Sequence, residues 1–187
     1  YPASVLQTLS LRGRKWQTRN GRLLDQLPMA KAATISNVLT ALRGLEETTF
    51  TLPSPPDLAR AVERIRRAVE AKEPVGIFGD YDCDGITAAA QMVRYFERRN
   101  MKPLVRLPHR VHDGYGLSPE IAEEWIAQGI RLLITVDTGM SAVGPIATLQ
   151  KKGIDVIVVD HHHVQAELPP AFALLHPGLT PGFPLPH

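Results

Sequence analysis

The chain has 187 residues, 44% of them hydrophobic and 21% charged, with a formal net charge of +2. That suits one globular domain with an extension, and a charge so close to balance does not by itself mark a nucleic-acid binder. The single cysteine excludes an intrachain disulfide and fits a reducing, cytoplasmic setting, and no apolar run approaches the roughly 20 residues of a membrane helix.

In chain order, no signal peptide is visible. The stretch Leu11-Arg-Gly-Arg-Lys-Trp16, followed by Arg19 and Arg22, mixes basic residues with one aromatic. It reads as a solvated tail, with phosphate contact and base stacking as the functional alternative. Met29 to Leu45 has roughly helical spacing, with Ser36 and Asn37 as candidate caps and Gly44 as a stop. Leu52-Pro-Ser-Pro-Pro56 then breaks the chain. We expect an N-terminal extension over residues 1–52, partly helical, and a core domain over 53–187.

From Leu58 the residues Ala61, Val62, Ile65, Ala68 and Val69 recur at helical spacing, with Asp57 as the expected N-cap. Arg60, Arg64 and Arg67 read as a solvated face. After Pro74 a repeating alternation begins. The expected strands are Val75–Phe78, Pro103–Leu107, Leu132–Val136 and Asp155–Val159. The expected helices are Ile86–Arg99, with Ile86, Ala89, Val93 and Phe96 on one face, then Pro119–Gln128 capped by Ser118, and Ser141–Lys152 ended by Gly153. Apolar strands alternating with amphipathic helices predict an α/β fold, a parallel β-sheet flanked by helices.

That alternation has chemical consequences. Ligands of open α/β sheets bind beyond the carboxyl ends of the strands. The first strand runs into Gly79-Asp-Tyr-Asp-Cys-Asp-Gly85, the third into Asp137, and the fourth into Asp160-His-His-His163. If the first of these runs is extended, its alternate residues Asp80, Asp82 and Asp84 face one side. Acids gathered this way repel one another and call for a cation. Carboxylates with imidazoles suit Mn²⁺ or Mg²⁺ better than Zn²⁺. Several acids suggest a pair of ions, about 3.5–4 Å apart, and phosphoester or phosphoanhydride hydrolysis. Bland readings compete. A lone Asp137 after a strand is more often a turn or cap residue. An EF-hand loop is disfavoured because Gln91 stands at its twelfth position. His163 is expected to be a core histidine bonded to a carbonyl, and three internal histidines do not make an affinity tag.

At Asp80-Tyr-Asp-Cys-Asp-Gly85 with Asp160-His-His162, the sequence resembles the DHH phosphoesterase superfamily. Pro108-His-Arg110, Asp113-Gly-Tyr-Gly-Leu-Ser118 and Thr135-Val-Asp-Thr-Gly139, in that order, make it similar to the RecJ-type single-strand-specific 5′→3′ exonucleases. The resemblance covers about residues 53–180. It implies Asp80, Asp82, Asp84, Asp137 and His161 as metal ligands, with Asp137 bridging. It implies Asp160 as the residue that orients the site, His162 facing the scissile phosphate, and Arg110 as a phosphate contact whose alternative is pairing with Asp113. It further implies single-stranded DNA as substrate, a role in repair and recombination, and a single-strand-binding protein and a helicase as partners. Small-substrate members acting on pyrophosphate, short oligoribonucleotides or cyclic dinucleotides are the nearest alternative, and a non-catalytic scaffold is the more distant one. The chain begins at Tyr1 and ends at His187 in a Pro-rich run. We therefore expect a fragment, inactive alone, with a further metal-binding acid and a substrate-gripping domain beyond it.

Overall fold

The structure is a computed structural model and describes residues 53–109, 114 and 116–183. The basic stretch 11–22, the helical segment 29–45, Arg110 and Asp113 lie outside the described residues. In chain order the elements are α1 (Leu58–Glu70), β1 (Val75–Gly79), α2 (Cys83–Glu97), β2 (Leu104–Arg106), α3 (Pro119–Ala127), β3 (Leu132–Val136), α4 (Val143–Lys151), β4 (Asp155–Val159) and β5 (Ala173–Leu175). A 3₁₀ turn, Pro177–Leu179, follows β5.

The five strands form one parallel sheet in the order β2-β1-β3-β4-β5. The chain leaves β1 toward β2, then returns to place β3 on the other side of β1. Loops leaving β1 and β3 therefore diverge, and a crevice opens between their carboxyl ends. Strands β1 and β3 are buried along their whole length. Both faces are covered, which is why they read as unbroken apolar runs rather than alternating ones. Helices α1 and α2 contribute Ala61, Ala68, Ala89 and Phe96 to one core, against Ile77, Leu132, Ile134 and Ile157. Helices α3 and α4 contribute Ile121, Trp125, Ile146 and Leu149 to the other, against Phe78, Leu133, Val156 and Val158.

Several expectations are corrected. In α1 the buried stripe is Ala61, Arg64 and Ala68, while Leu58 and Val62 are exposed. Arg64 is therefore not on a solvated face. Small alanines above and below it bring the helix close to the sheet. Its guanidinium then passes inward to Asp155 at 2.5 Å, Glu73 at 2.7 Å and the Arg131 carbonyl at 3.1 Å. Asp57 precedes α1 but does not cap it. Its carboxylate accepts from the Leu174 N–H at 2.9 Å, tying the helix start to β5. Strand β5 was not expected at all. It is three residues long, too short for a periodic signal, and exists because it pairs with β4. By contrast Ser118 caps α3 as expected, accepting from the Ile121 N–H at 3.3 Å, with Pro119 in the first turn.

Candidate metal centre

The acidic run does not continue β1. The strand ends at Gly79, and α2 already begins at Cys83, three residues before the expected Ile86. The three aspartates thus sit on three kinds of backbone, and a common extended face does not exist. Asp80 is buried at the strand end, where its carboxylate accepts from the Tyr81 N–H at 2.7 Å. Asp82 is the N-cap of α2 and accepts from the Gly85 N–H at 3.0 Å. This bond holds its carboxyl below the usual range, outweighing what little burial opposes it. Asp84 is exposed in the first helical turn. Ile86, two residues further on, is exposed rather than on the core face. The closing glycine is a packing requirement. A Cβ on Gly85 would lie 2.5 Å from the backbone N and O of Asp80, so only glycine lets the helix start this close to the strand end.

Strand β3 delivers Asp137 across the crevice. Its φ is 60°, a left-handed conformation that costs a non-glycine residue on the order of 1 kcal/mol. The backbone is pinned there by the Asp137 N–H, which donates to the Val159 carbonyl at 2.8 Å. One carboxylate oxygen, Oδ1, lies 2.9 Å from Nε2 of His161. The other, Oδ2, is buried with no hydrogen-bond partner. Burial and the neighbouring Asp82 carboxyl both push the Asp137 carboxyl above its ordinary value, against a smaller opposing pull from His161.

Strand β4 delivers the triplet. Asp160 is buried and accepts four bonds, from the N–H groups of Met140 (3.0 Å), His161 (2.7 Å) and His162 (3.0 Å) and from Nδ1 of His162 (2.8 Å). Burial alone would raise its carboxyl, but these donors together hold it below the ordinary value. It links the loop after β3 to the loop after β4. For His162, burial pulls the imidazole down, but the Asp160 carboxylate bound to Nδ1, with Asp137 and Asp80 nearby, raises it overall. His163 points to solvent, so it is not the expected core histidine. That place belongs to His176, buried just after β5.

Among the described residues two groups of potential ligand atoms result, each with all its atoms within 4.8 Å of one another: Asp80, Asp82 and Asp137, and Asp137, His161 and His162. Asp137 belongs to both. Asp84 belongs to neither, although it lines the same cavity of about 590 Å³ as Asp137, Asp160 and His161. The groups fit a hard-to-borderline divalent cation. The donors are carboxylate oxygens with imidazole nitrogens, two carboxylates oppose each other, and one buried oxygen has no other partner. His176 was missed by sequence reasoning. No motif marks it, and its neighbour β5 carried no signal.

Residues 74–182 match the family model described as "DHH family, N-terminal domain", and the chain belongs to the DHH family. More particularly, it is similar to proteins named single-stranded-DNA-specific exonuclease RecJ. It is 38% identical to that of Haemophilus influenzae over 170 residues, covering 88% of this chain and 28% of the relative. It is 39% identical to that of Escherichia coli over 123 residues, covering 64% and 21%. Among solved structures, exonuclease RecJ bound to manganese superposes with a TM-score of 0.67 at 31% identity, over 72% of this chain and 34% of the other. RecJ of Thermus thermophilus in complex with Mn²⁺ gives 0.61 at 28% identity, over 71% and 19%. The chain spans only between 15% and 28% of the length of the curated relatives it matches.

Proposed function

We propose that this chain is the catalytic region of a Mn²⁺- or Mg²⁺-dependent phosphodiesterase that removes nucleotides from the 5′ end of single-stranded DNA. The observation that carries the reading is the sharing of Asp137 between two ligand groups, with one buried oxygen lacking any other partner. Asp80, Asp82, Asp137 and His161 are the proposed ligands of a pair of ions. Asp84, on the cavity wall, is an additional acid for the same cations. Bound divalent cations would supply an activated water at neutral pH and charge neutralisation at the phosphoryl group.

The chain's own residues do the rest. Asp160 locks the His162 ring by its bond to Nδ1 and so fixes how the ring meets the substrate. The raised pKa of His162 keeps that ring more readily protonated, so it favours a phosphate oxygen gaining negative charge. Asp82 at a helix N-terminus stays ionised through its cap bond. Arg110 remains the proposed phosphate contact. The similar RecJ proteins are named for single-stranded DNA, which favours that substrate over pyrophosphate or cyclic dinucleotides. A repair role in the cytoplasm, with a single-strand-binding protein and a helicase as partners, follows from the same reading. The test is to incubate the full-length protein with Mn²⁺ and end-labelled DNA. Loss of 5′ label from single strands alone supports the proposal, and cleavage of small phosphoanhydrides or dinucleotides only would replace it.

A further inference from the structure

We infer that His176 is a positioning residue for His162, acting through the main chain of the triplet loop; the inference rests on the catalytic reading of His162 given above. Residues 161–163 belong to no helix or strand, so no backbone ladder fixes them. The N–H groups of His161 and His162 are held by Asp160. The His162 carbonyl is held by a different element: Nε2 of His176 lies 2.6 Å from it.

The geometry fixes the direction of that bond. Nδ1 of His176 lies 2.8 Å from the Gly178 backbone nitrogen, which can only donate. Nδ1 is therefore the acceptor, the neutral ring carries its proton on Nε2, and Nε2–H donates to the His162 carbonyl. The arrangement is closely built. His176 is only 3% exposed. A Cβ on Gly178 would come within 3.1 Å of the His176 ring. The Thr180 hydroxyl donates to the His176 carbonyl at 2.8 Å, and β5 is joined to the triplet by the Asp160 N–H, which donates to the Leu175 carbonyl at 3.1 Å. His162 is thus gripped on both sides, its ring and N–H by Asp160 and its carbonyl by His176. Partners that orient metal-ligating imidazoles through the ring matter by roughly 10- to 100-fold in activity or metal affinity, and that is the scale we take for this main-chain grip.

Two substitutions separate positioning from mere packing. In H176N the side-chain oxygen replaces Nδ1 and keeps the Gly178 bond, but the amide is too short to reach the His162 carbonyl. In H176Q the amide nitrogen reaches the place of Nε2 and can restore that bond. Both are made in the full-length protein. Turnover on single-stranded DNA is measured with Mn²⁺, and the imidazole ¹⁵N shifts of His162 and His176 are measured without metal. The expected result is wild-type His176 protonated on Nε2. H176N should lose roughly 10- to 100-fold in kcat with little change in KM and shift the His162 ring resonances. H176Q should recover most of both. Equal behaviour of the two variants, or an H176N protein with wild-type kcat and His162 shifts, overturns the inference. If the wild type cuts no DNA, the proposed function fails, and the ring shifts of the two variants alone then decide the role of His176.

Discussion

The two ends of the sheet both gather charge, and they balance it differently. At the amino end, Arg64 is buried between Asp155 and Glu73 and also meets a carbonyl. There a cation from the chain faces anions from the chain. At the carboxyl end, Asp82 stands beside Asp137, Asp80 joins them, and a buried Asp137 oxygen has no partner. Imidazoles offset this only in part. The first arrangement sets opposite charges against each other within the protein and serves stability, even though Nη1 of Arg64 lacks a hydrogen-bond partner. The second closes only when something positive arrives from outside. Buried charge by itself does not mark a functional site; buried charge left unbalanced by the fold does.

The largest effect should come from D137N. It removes the carboxylate common to both ligand groups, and activity of the full-length protein on single-stranded DNA should fall by about 10²- to 10³-fold, the scale on which loss of one stabiliser of transition-state charge is felt. Because the metal-free Asp137 carboxyl is pushed up, its contribution to stability is present below the ordinary carboxylate pKa and is lost as pH rises through the raised value. D137N should therefore leave metal-free stability at pH 7 equal to or above that of the wild type, as read by urea unfolding. A marked destabilisation would mean that Asp137 is a structural residue.

R64A should show the converse. Removing the cation strands Asp155 and Glu73, at a cost of about 3 kcal/mol in unfolding free energy. The folded fraction should keep its Mn²⁺ affinity, and a parallel loss of metal binding would erase the distinction between the two ends. A smaller effect is expected from pH. Asp160 is held below its ordinary value, so its contribution is present above the unfolded-state carboxylate pKa and fades as pH falls through the lowered folded value. D160N should flatten the acid limb of the stability profile, and an unchanged limb would contradict the hub role. The smallest effect belongs to His163. H163A should change activity less than about twofold, since the side chain faces solvent and exposed positions are usually neutral.

The sheet was legible because its central strands are covered on both faces. The runs Leu132–Val136 and Asp155–Val159 stand in the structure with the bounds their apolar character predicts. The meeting of Asp80, Asp137 and the triplet was legible for a related reason, since parallel strands deliver their following residues to one edge. What was not legible depended on contacts between distant segments. Arg64 reads as surface until Asp155 is brought beneath it, 91 residues away. Asp57 reads as a cap until Leu174 offers an unpaired N–H. The acidic run reads as extended because its alternation is regular, whereas the helix starts inside it at Cys83, permitted by Gly85 against the Asp80 backbone. His176 took the core place expected of His163 for the same reason. The short β5, paired to β4, leads straight into His176, whose ring reaches the His162 carbonyl.

The central claim is that Asp137 joins two halves of one metal centre. Calorimetric titration of Mn²⁺ into metal-free full-length protein, wild type beside D137N, tests it most directly. The account predicts a pair of ions bound by the wild type and loss of both in D137N, with the variant still folded. Binding of both ions by D137N at wild-type affinity, or no binding by the wild type above background, would contradict it.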